Sequence, residues 1–172
     1  VHGPLLTTLP DEPEWSRDRL RRLLFGEEVP DLQGKGTGGG QATGPLVVAN
    51  LTVATHLLGT RFVPDLQGAI LVLEDVGEAP YRIDRMLTQW RLSGILQQLA
   101  GIGFGHFEGC DEDERPPAQT FSLAQVLEDR TADLGLPKVL DLPVGHRPGN
   151  AALPLGVMAC MDGDTGTLSL LP

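Results

Sequence analysis

The chain has 172 residues and 41% of them are hydrophobic, which is enough for one domain with its own core and too much for a disordered chain. Its net charge is −10 and no basic face is visible in the sequence, so we expect neither nucleic acid nor an anionic membrane surface as a partner. No apolar run approaches the roughly 18 residues that cross a bilayer, and the first residues lack the pattern of a signal peptide. Cys110 and Cys160 are fifty residues apart and show no metal-ligand spacing. Two ordinary thiols are compatible with a reducing compartment.

The N-terminal part, residues 1–44, predicts one short helix and one flexible loop. Pro13 suits a first helical turn, the acidic residues around it suit a helix N-terminus, and Gly26 stops the helix. Its apolar residues at near-helical spacing are Trp15, Leu20, Leu23 and Leu24. Residues 34–44 are rich in glycine but lack the spacing of a P-loop, so we expect a flexible loop there and not a phosphate site.

Strands and helices alternate after residue 44. Residues 45–49 predict a strand, Asn50 predicts the N-cap of a helix that Gly59 ends, and the apolar run 69–73 predicts a strand buried on both faces. Pro80 opens the strongest helical pattern, an apolar stripe made of Ile83, Met86, Leu87, Trp90, Ile95, Leu96 and Leu99.

The second half of the chain predicts shorter elements. They are a strand at 101–107, an acidic loop at 109–118, a helix from the Ser122–Gln125 capping box to about Leu134, a short strand at 139–142, and two C-terminal strands from Leu155 onwards joined around 162–166. The order of elements predicts a mixed α/β fold and not a pure doubly wound sheet.

Glu74 is the carboxylate whose position is most suggestive of function. It directly follows the predicted buried strand 69–73, and catalytic groups of α/β sheets lie outside the carboxyl ends of strands. A charge there needs a partner or water. The alternative from position alone is a carboxylate that caps a helix or sits in a loop.

His146 lies in a loop whose glycines and prolines fix the backbone and so aim the ring. An imidazole oriented by a carboxylate is the base half of a nucleophilic triad, although an ordinary loop histidine fits the same context. The nucleophile is missing, because no serine (Ser16, Ser93, Ser122, Ser169) lies in a strand-to-helix elbow. Cys110 precedes an acidic run that raises a thiol pKa, which makes it a poor nucleophile.

A metal site is a competing interpretation with little support. Glu74, Asp75, His106 and His146 are mixed nitrogen and oxygen donors, but the chain has no HExxH motif and no pair of histidines at helical spacing. We therefore expect no metal and no other cofactor.

Five segments carry a recognisable pattern, in order and with compatible spacing: Asn50–Thr52, Leu58–Thr60, Gly68–Leu87, Gly145–His146 and Leu153–Gly156. Together they resemble the LD-carboxypeptidase family of serine peptidases, and the likeness extends over nearly the whole chain from His2. The resemblance implies an N-terminal domain with a nucleophilic serine and a swivelling β/β/α-type C-terminal domain with a catalytic glutamate and histidine. In this chain these are Glu74, the first acid of Leu-Glu-Asp, and His146, which follows Gly145.

The resemblance also implies an activity and a domain arrangement. The family removes the terminal D-Ala of murein tetrapeptide in cytoplasmic peptidoglycan recycling, and a sister branch cleaves microcin-C-type antibiotics and confers immunity. We expect residues 45–172 to be the C-terminal domain, residues 1–44 to be an interdomain linker with a short helix, and the nucleophile domain to lie outside the chain. The chain alone is then inactive, and an exposed docking face favours a homodimer.

The sequence departs from the family pattern at two places. Val48 and Ala49 precede Asn50 where the family usually has two glycines, which affects the backbone near the site, and Trp90 replaces a common aliphatic residue. A non-catalytic module with the same fold remains an alternative to an enzyme.

Overall fold

A computed structural model of the protein describes residues 1–111 and 120–171. Within those ranges the α-helices are α1 (Glu14–Leu24), α2 (Leu51–Thr55), α3 (Pro80–Leu92) and α4 (Leu123–Thr131). The strands are β1 (Leu32–Gln33), β2 (Lys35–Thr37), β3 (Gln41–Asn50), β4 (Ile70–Val76), β5 (Gly101–Glu108), β6 (Lys138–Leu140), β7 (Met158–Asp162) and β8 (Thr167–Leu170). None of the described helices is long and apolar enough to cross a membrane.

The described strands form one sheet in the order β1-β8-β7-β3-β4-β5-β6-β2. The central strands β3, β4, β5 and β6 are parallel, and the other pairs are antiparallel. Only Gly34 separates β1 from β2, so the two edge strands are consecutive in the chain and the sheet is nearly closed. The predicted mixed α/β fold is confirmed.

Strand β4 lies at the centre of the sheet and is buried on both faces, as the apolar run predicted. Leu71 and Leu73 pack in the cluster that α2, α3 and α4 cover, whereas Ile70 and Val72 point into the interior of the nearly closed sheet. All four side chains are inaccessible to solvent. Burial of one such side chain contributes about 1.5–3 kcal/mol, which holds the end of this strand firmly in place.

The sequence signals for the start of two helices are confirmed. The Asn50 side chain accepts a hydrogen bond from the Val53 amide at the start of α2, and the Ser122–Gln125 capping box opens α4. Both caps satisfy amides that the first helical turn leaves without intrahelical partners.

Two local predictions are wrong. Residues 34–44 are not a flexible loop, because 35–37 pair with β6 and 41–44 belong to β3, which pairs with β7. The helix from Pro80 does not continue to Leu99: it ends at Leu92, Gly94 adopts a φ of +77°, and a separate short 3₁₀ turn follows. The predicted acidic loop 109–118 falls largely outside the described residues.

Candidate active site

Glu74 stands at the carboxyl end of β4, next to an irregularity in β5. Leu73 pairs with Phe104 while Asp75 pairs with Phe107, so Gly105 and His106 together face Glu74. Such a bulge bends a strand and re-aims its side chains, and bulges are common beside active sites. The Glu74 side chain is completely buried, so its charge depends on partners within the protein.

The loop that carries His146 approaches the sheet at Gly145. Gly145 has a φ of +145°, and a Cβ there would lie 3.1 Å from the His106 Cβ and 3.5 Å from Glu74 Oε2. Only glycine therefore combines this backbone conformation with this close approach. The Gly145 amide donates to Asn150 Oδ1 at 3.1 Å, which closes the loop on itself.

The two residues expected to be catalytic, Glu74 and His146, lie side by side. His146 Nδ1 is 2.7 Å from Glu74 Oε2, and the carboxylate is therefore placed to accept the Nδ1 proton. That tautomer leaves the Nε2 lone pair free, and the His146 side chain is 44% exposed and accessible from outside. An imidazole held by a carboxylate in this way can act as a base towards a hydroxyl nucleophile.

The electrostatics of Glu74 favour its charged form. Burial by itself raises the pKa of this carboxyl, but the nearby imidazoles of His2 and His146 outweigh burial, and the pKa falls below its ordinary value of 4.5. Glu74 is therefore ionised at neutral pH and can stabilise an imidazolium at position 146.

The N-terminal segment holds the His146 loop, which the sequence did not reveal. Glu12 Oε2 accepts hydrogen bonds from the amides of Gly149 at 2.8 Å and Asn150 at 3.2 Å, and Ser16 Oγ donates to the Asn150 carbonyl at 2.6 Å. The sequence assigned Glu12 to the N-terminus of α1, but α1 begins at Glu14 and the carboxylate caps a loop far away in the chain. The sequence around Glu12 does not distinguish a carboxylate at a helix N-terminus from one that binds a distant loop.

The other weak metal candidates have different partners. Asp75 accepts from Asn50 Nδ2, from the Thr52 amide and hydroxyl, and from the Val76 amide, all at 2.8–2.9 Å. His106 Nε2 lies 2.6 Å from an Arg147 guanidinium nitrogen; burial, and then the Arg147 charge, lower the His106 pKa. No group of three or more histidine, cysteine, aspartate or glutamate residues in the described ranges could hold a metal ion.

The family departure at Val48–Ala49 precedes an Asn50 whose side chain is fully engaged. Asn50 caps α2 through Oδ1 and binds Asp75 through Nδ2. Trp90 is buried, and its indole donates to Thr55 Oγ1 at 2.9 Å, so it fastens α3 to α2.

No described serine completes the triad. Ser16 is buried and bonded to Asn150, Ser122 caps α4, and within residues 1–111 and 120–171 no serine hydroxyl hydrogen-bonds to His146. Cys110 is also unsuited as a nucleophile, because burial, more than its acidic neighbours, raises the pKa of its thiol. The direction expected from the sequence is confirmed, but the main cause is burial.

A cavity of about 290 Å³ adjoins the candidate pair. Its lining includes His146, Gly145 and Asn150 of the loop and His2 and Glu12 of the N-terminal segment. The space next to the imidazole is therefore shaped by the first residues of the chain as much as by the loop.

Comparison with known proteins identifies the family to which the chain belongs. A family profile described as the LD-carboxypeptidase C-terminal domain matches residues 43–161. A putative carboxypeptidase from Synechocystis sp. is 54% identical over 171 residues, covering 99% of this chain and 56% of its own length. The murein tetrapeptide carboxypeptidase of Pseudomonas aeruginosa is 34% identical over 179 residues, covering 95% of this chain and 56% of its own.

A solved structure extends the likeness to three dimensions. The crystal structure of muramoyltetrapeptide carboxypeptidase from Oxalobacter formigenes matches with a TM-score of 0.80 at 29% identity, over 92% of this chain and 54% of that one. The chain spans about half the length of the curated relatives it matches. The resemblance found in the sequence is thereby confirmed: the chain belongs to the LD-carboxypeptidase family and contains its C-terminal domain.

Proposed function

We propose that the protein supplies the histidine and glutamate of a Ser-His-Glu triad in a cytoplasmic serine carboxypeptidase that removes the terminal D-Ala from murein tetrapeptide during peptidoglycan recycling. The observation that carries the proposal is the 2.7 Å contact between His146 Nδ1 and the buried Glu74 carboxylate. The serine comes from an N-terminal domain that the first residues of this chain join to the sheet, and the working enzyme is a homodimer.

In this mechanism His146 Nε2 takes the proton of the serine hydroxyl as its oxygen attacks the carbonyl carbon of the LD-peptide bond. When the C–N bond breaks, the imidazolium returns that proton to the leaving amine of D-Ala. A water molecule then hydrolyses the acyl-enzyme with the same base. Glu74 holds the required tautomer and stabilises the imidazolium, and it stays ionised throughout.

The substrate is inferred from relatives whose names state it. The Pseudomonas aeruginosa relative, 34% identical, is a murein tetrapeptide carboxypeptidase, and the Oxalobacter formigenes structure is a muramoyltetrapeptide carboxypeptidase. This supports a murein peptide over a microcin-C-type peptidyl-nucleotide, the alternative left by the sequence.

The test is a substrate panel on the full-length protein. We expect it to release D-Ala from murein tetrapeptide, a His146→Ala variant to lose this activity, and the matched variant of an exposed histidine, His56→Ala, to retain it. The 172-residue chain alone should release no D-Ala. Cleavage of a peptidyl-nucleotide alone would reassign the substrate, and hydrolysis of neither compound would favour a non-catalytic module.

A further inference from the structure

Glu74 faces two histidines, and the proposed mechanism uses only one of them. Oε2 contacts His146, while Oε1 points towards His2, whose Nε2 is 3.5 Å away. Within the described residues Oε1 has no hydrogen-bond partner at normal geometry, although the Glu74 side chain is completely buried. A buried carboxylate oxygen without a donor costs free energy, so the nearby Nε2 is a significant neighbour.

His2 is held in this place by its backbone. The His2 amide donates to the Leu153 carbonyl and the Leu153 amide donates to the His2 carbonyl, both at 2.8 Å. The next residue, Gly3, is packed so closely that a Cβ would lie 2.9 Å from the Ala152 Cα. The antiparallel bridge between His2 and Leu153 therefore holds the His2 ring beside Glu74.

We propose that His2 is a positioning residue: its Nε2–H donates to Glu74 Oε1 and holds the carboxylate in the orientation in which Oε2 accepts the His146 Nδ1 proton. The 3.5 Å separation is long for a hydrogen bond, and such contacts often tighten only when substrate is bound. A carboxylate fixed at both oxygens cannot rotate away from the imidazole, so the His146 ring keeps the orientation in which it acts as a base. The catalytic consequence rests on the proposed function, whereas the hydrogen-bond arrangement does not.

The arrangement can be tested without activity, by nitrogen-15 NMR of the imidazole rings in the 172-residue chain. We expect neutral His2 to carry its proton on Nε2 and His146 to carry its proton on Nδ1. The His146 Nδ1 proton should be observable in wild type and in His2→Gln, whose amide nitrogen replaces Nε2, and should exchange with water in His2→Ala. A neutral His2 with its proton on Nδ1 cannot donate to Oε1, and this result overturns the proposal even if every variant misfolds.

The kinetic test uses the full-length protein and murein tetrapeptide. A carboxylate that is free to turn misplaces the base, and errors of about 1 Å cost about 100-fold in rate. We expect His2→Ala to lower kcat about 10- to 100-fold with little change in KM, and His2→Gln to recover most of the loss. The matched control is His56→Ala, an exposed histidine at the end of α2.

The possible outcomes separate the two proposals. Unchanged kcat in His2→Ala with an unchanged His146 proton signal overturns the role of His2, and so does an equal loss of kcat in His2→Ala and His2→Gln, which indicates packing alone. If wild-type protein cleaves no substrate, the proposed function fails, and the NMR result still decides whether His2 positions Glu74.

Discussion

Glu74 and Asp75 are adjacent carboxylates at the end of the same strand, and the fold buries both of them. Alternation along β4 sends them to opposite faces, Glu74 towards the interior of the sheet and Asp75 towards α2. Asp75 accepts four hydrogen bonds from groups that do not change protonation near neutral pH, namely two amides, a hydroxyl and a side-chain amide. Glu74 instead faces the imidazole rings of His2 and His146, a type of side chain that can take up and return a proton in catalysis.

Under the proposed function, one of these two buried charges has a structural role and its neighbour takes part in the chemistry. A carboxylate whose oxygens all accept hydrogen bonds from structural donors holds two elements together, and no oxygen remains to interact with a reacting group. A carboxylate that faces a titratable, half-exposed ring can respond when that ring becomes charged. The type of partner therefore distinguishes the two roles, since both carboxylates are buried to a similar extent.

The largest expected effect is on catalysis by Glu74→Gln in the full-length protein. The neutral amide no longer imposes the productive His146 tautomer or stabilises the imidazolium, so we expect kcat to fall about 10³- to 10⁴-fold. The measurement is D-Ala release from murein tetrapeptide at saturating substrate. Asp75→Asn is the matched variant, and a fall in its kcat as large as that of Glu74→Gln would contradict the division of roles.

The next effect is on stability, and it falls on the other carboxylate. Asp75→Asn replaces one acceptor oxygen by a donor nitrogen that faces the donors of α2, so we expect a loss of about 1–3 kcal/mol in the free energy of unfolding. Urea denaturation of the 172-residue chain measures it. Among the described residues Glu74 has one partner at hydrogen-bond distance, His146, whereas Asp75 accepts from four donors, so Glu74→Gln should cost less stability at neutral pH than Asp75→Asn. The reverse order would break the comparison.

The smallest effect is the pH dependence of stability. Because the pKa of Glu74 is lowered on folding, its ionised form contributes stability that is fully present above the ordinary value of 4.5 and is lost as the pH falls through the lower folded value. We expect the free energy of unfolding to drop less steeply below pH 4.5 in Glu74→Gln than in wild type. Parallel pH profiles of the two proteins would show that Glu74 has no such linkage.

Much of the fold was predictable because its signals are local. The apolar run 69–73 predicts a buried strand, and the alternation of elements indicates a mixed α/β fold. Asn50 and Ser122 cap helices through contacts within the first helical turn. The error at 34–44 has a physical cause: this glycine-rich segment has few side chains to show a pattern, and it becomes strand only because β6 and β7 offer it backbone partners.

By itself the sequence determined the buried strand that carries Glu74 near its carboxyl end, the glycine-bounded loop of His146 and, through ordered motifs, the family. Only the tertiary structure decided that these two side chains meet, that Glu12 closes the His146 loop, and that His2 faces the second oxygen of Glu74. The reason is the separation along the chain between the residues that interact. Helix caps and strand patterns depend on residues a few positions apart, whereas the contacts of this site join segments separated by 72 residues for Glu74 and His146 and by 137 for Glu12 and Gly149.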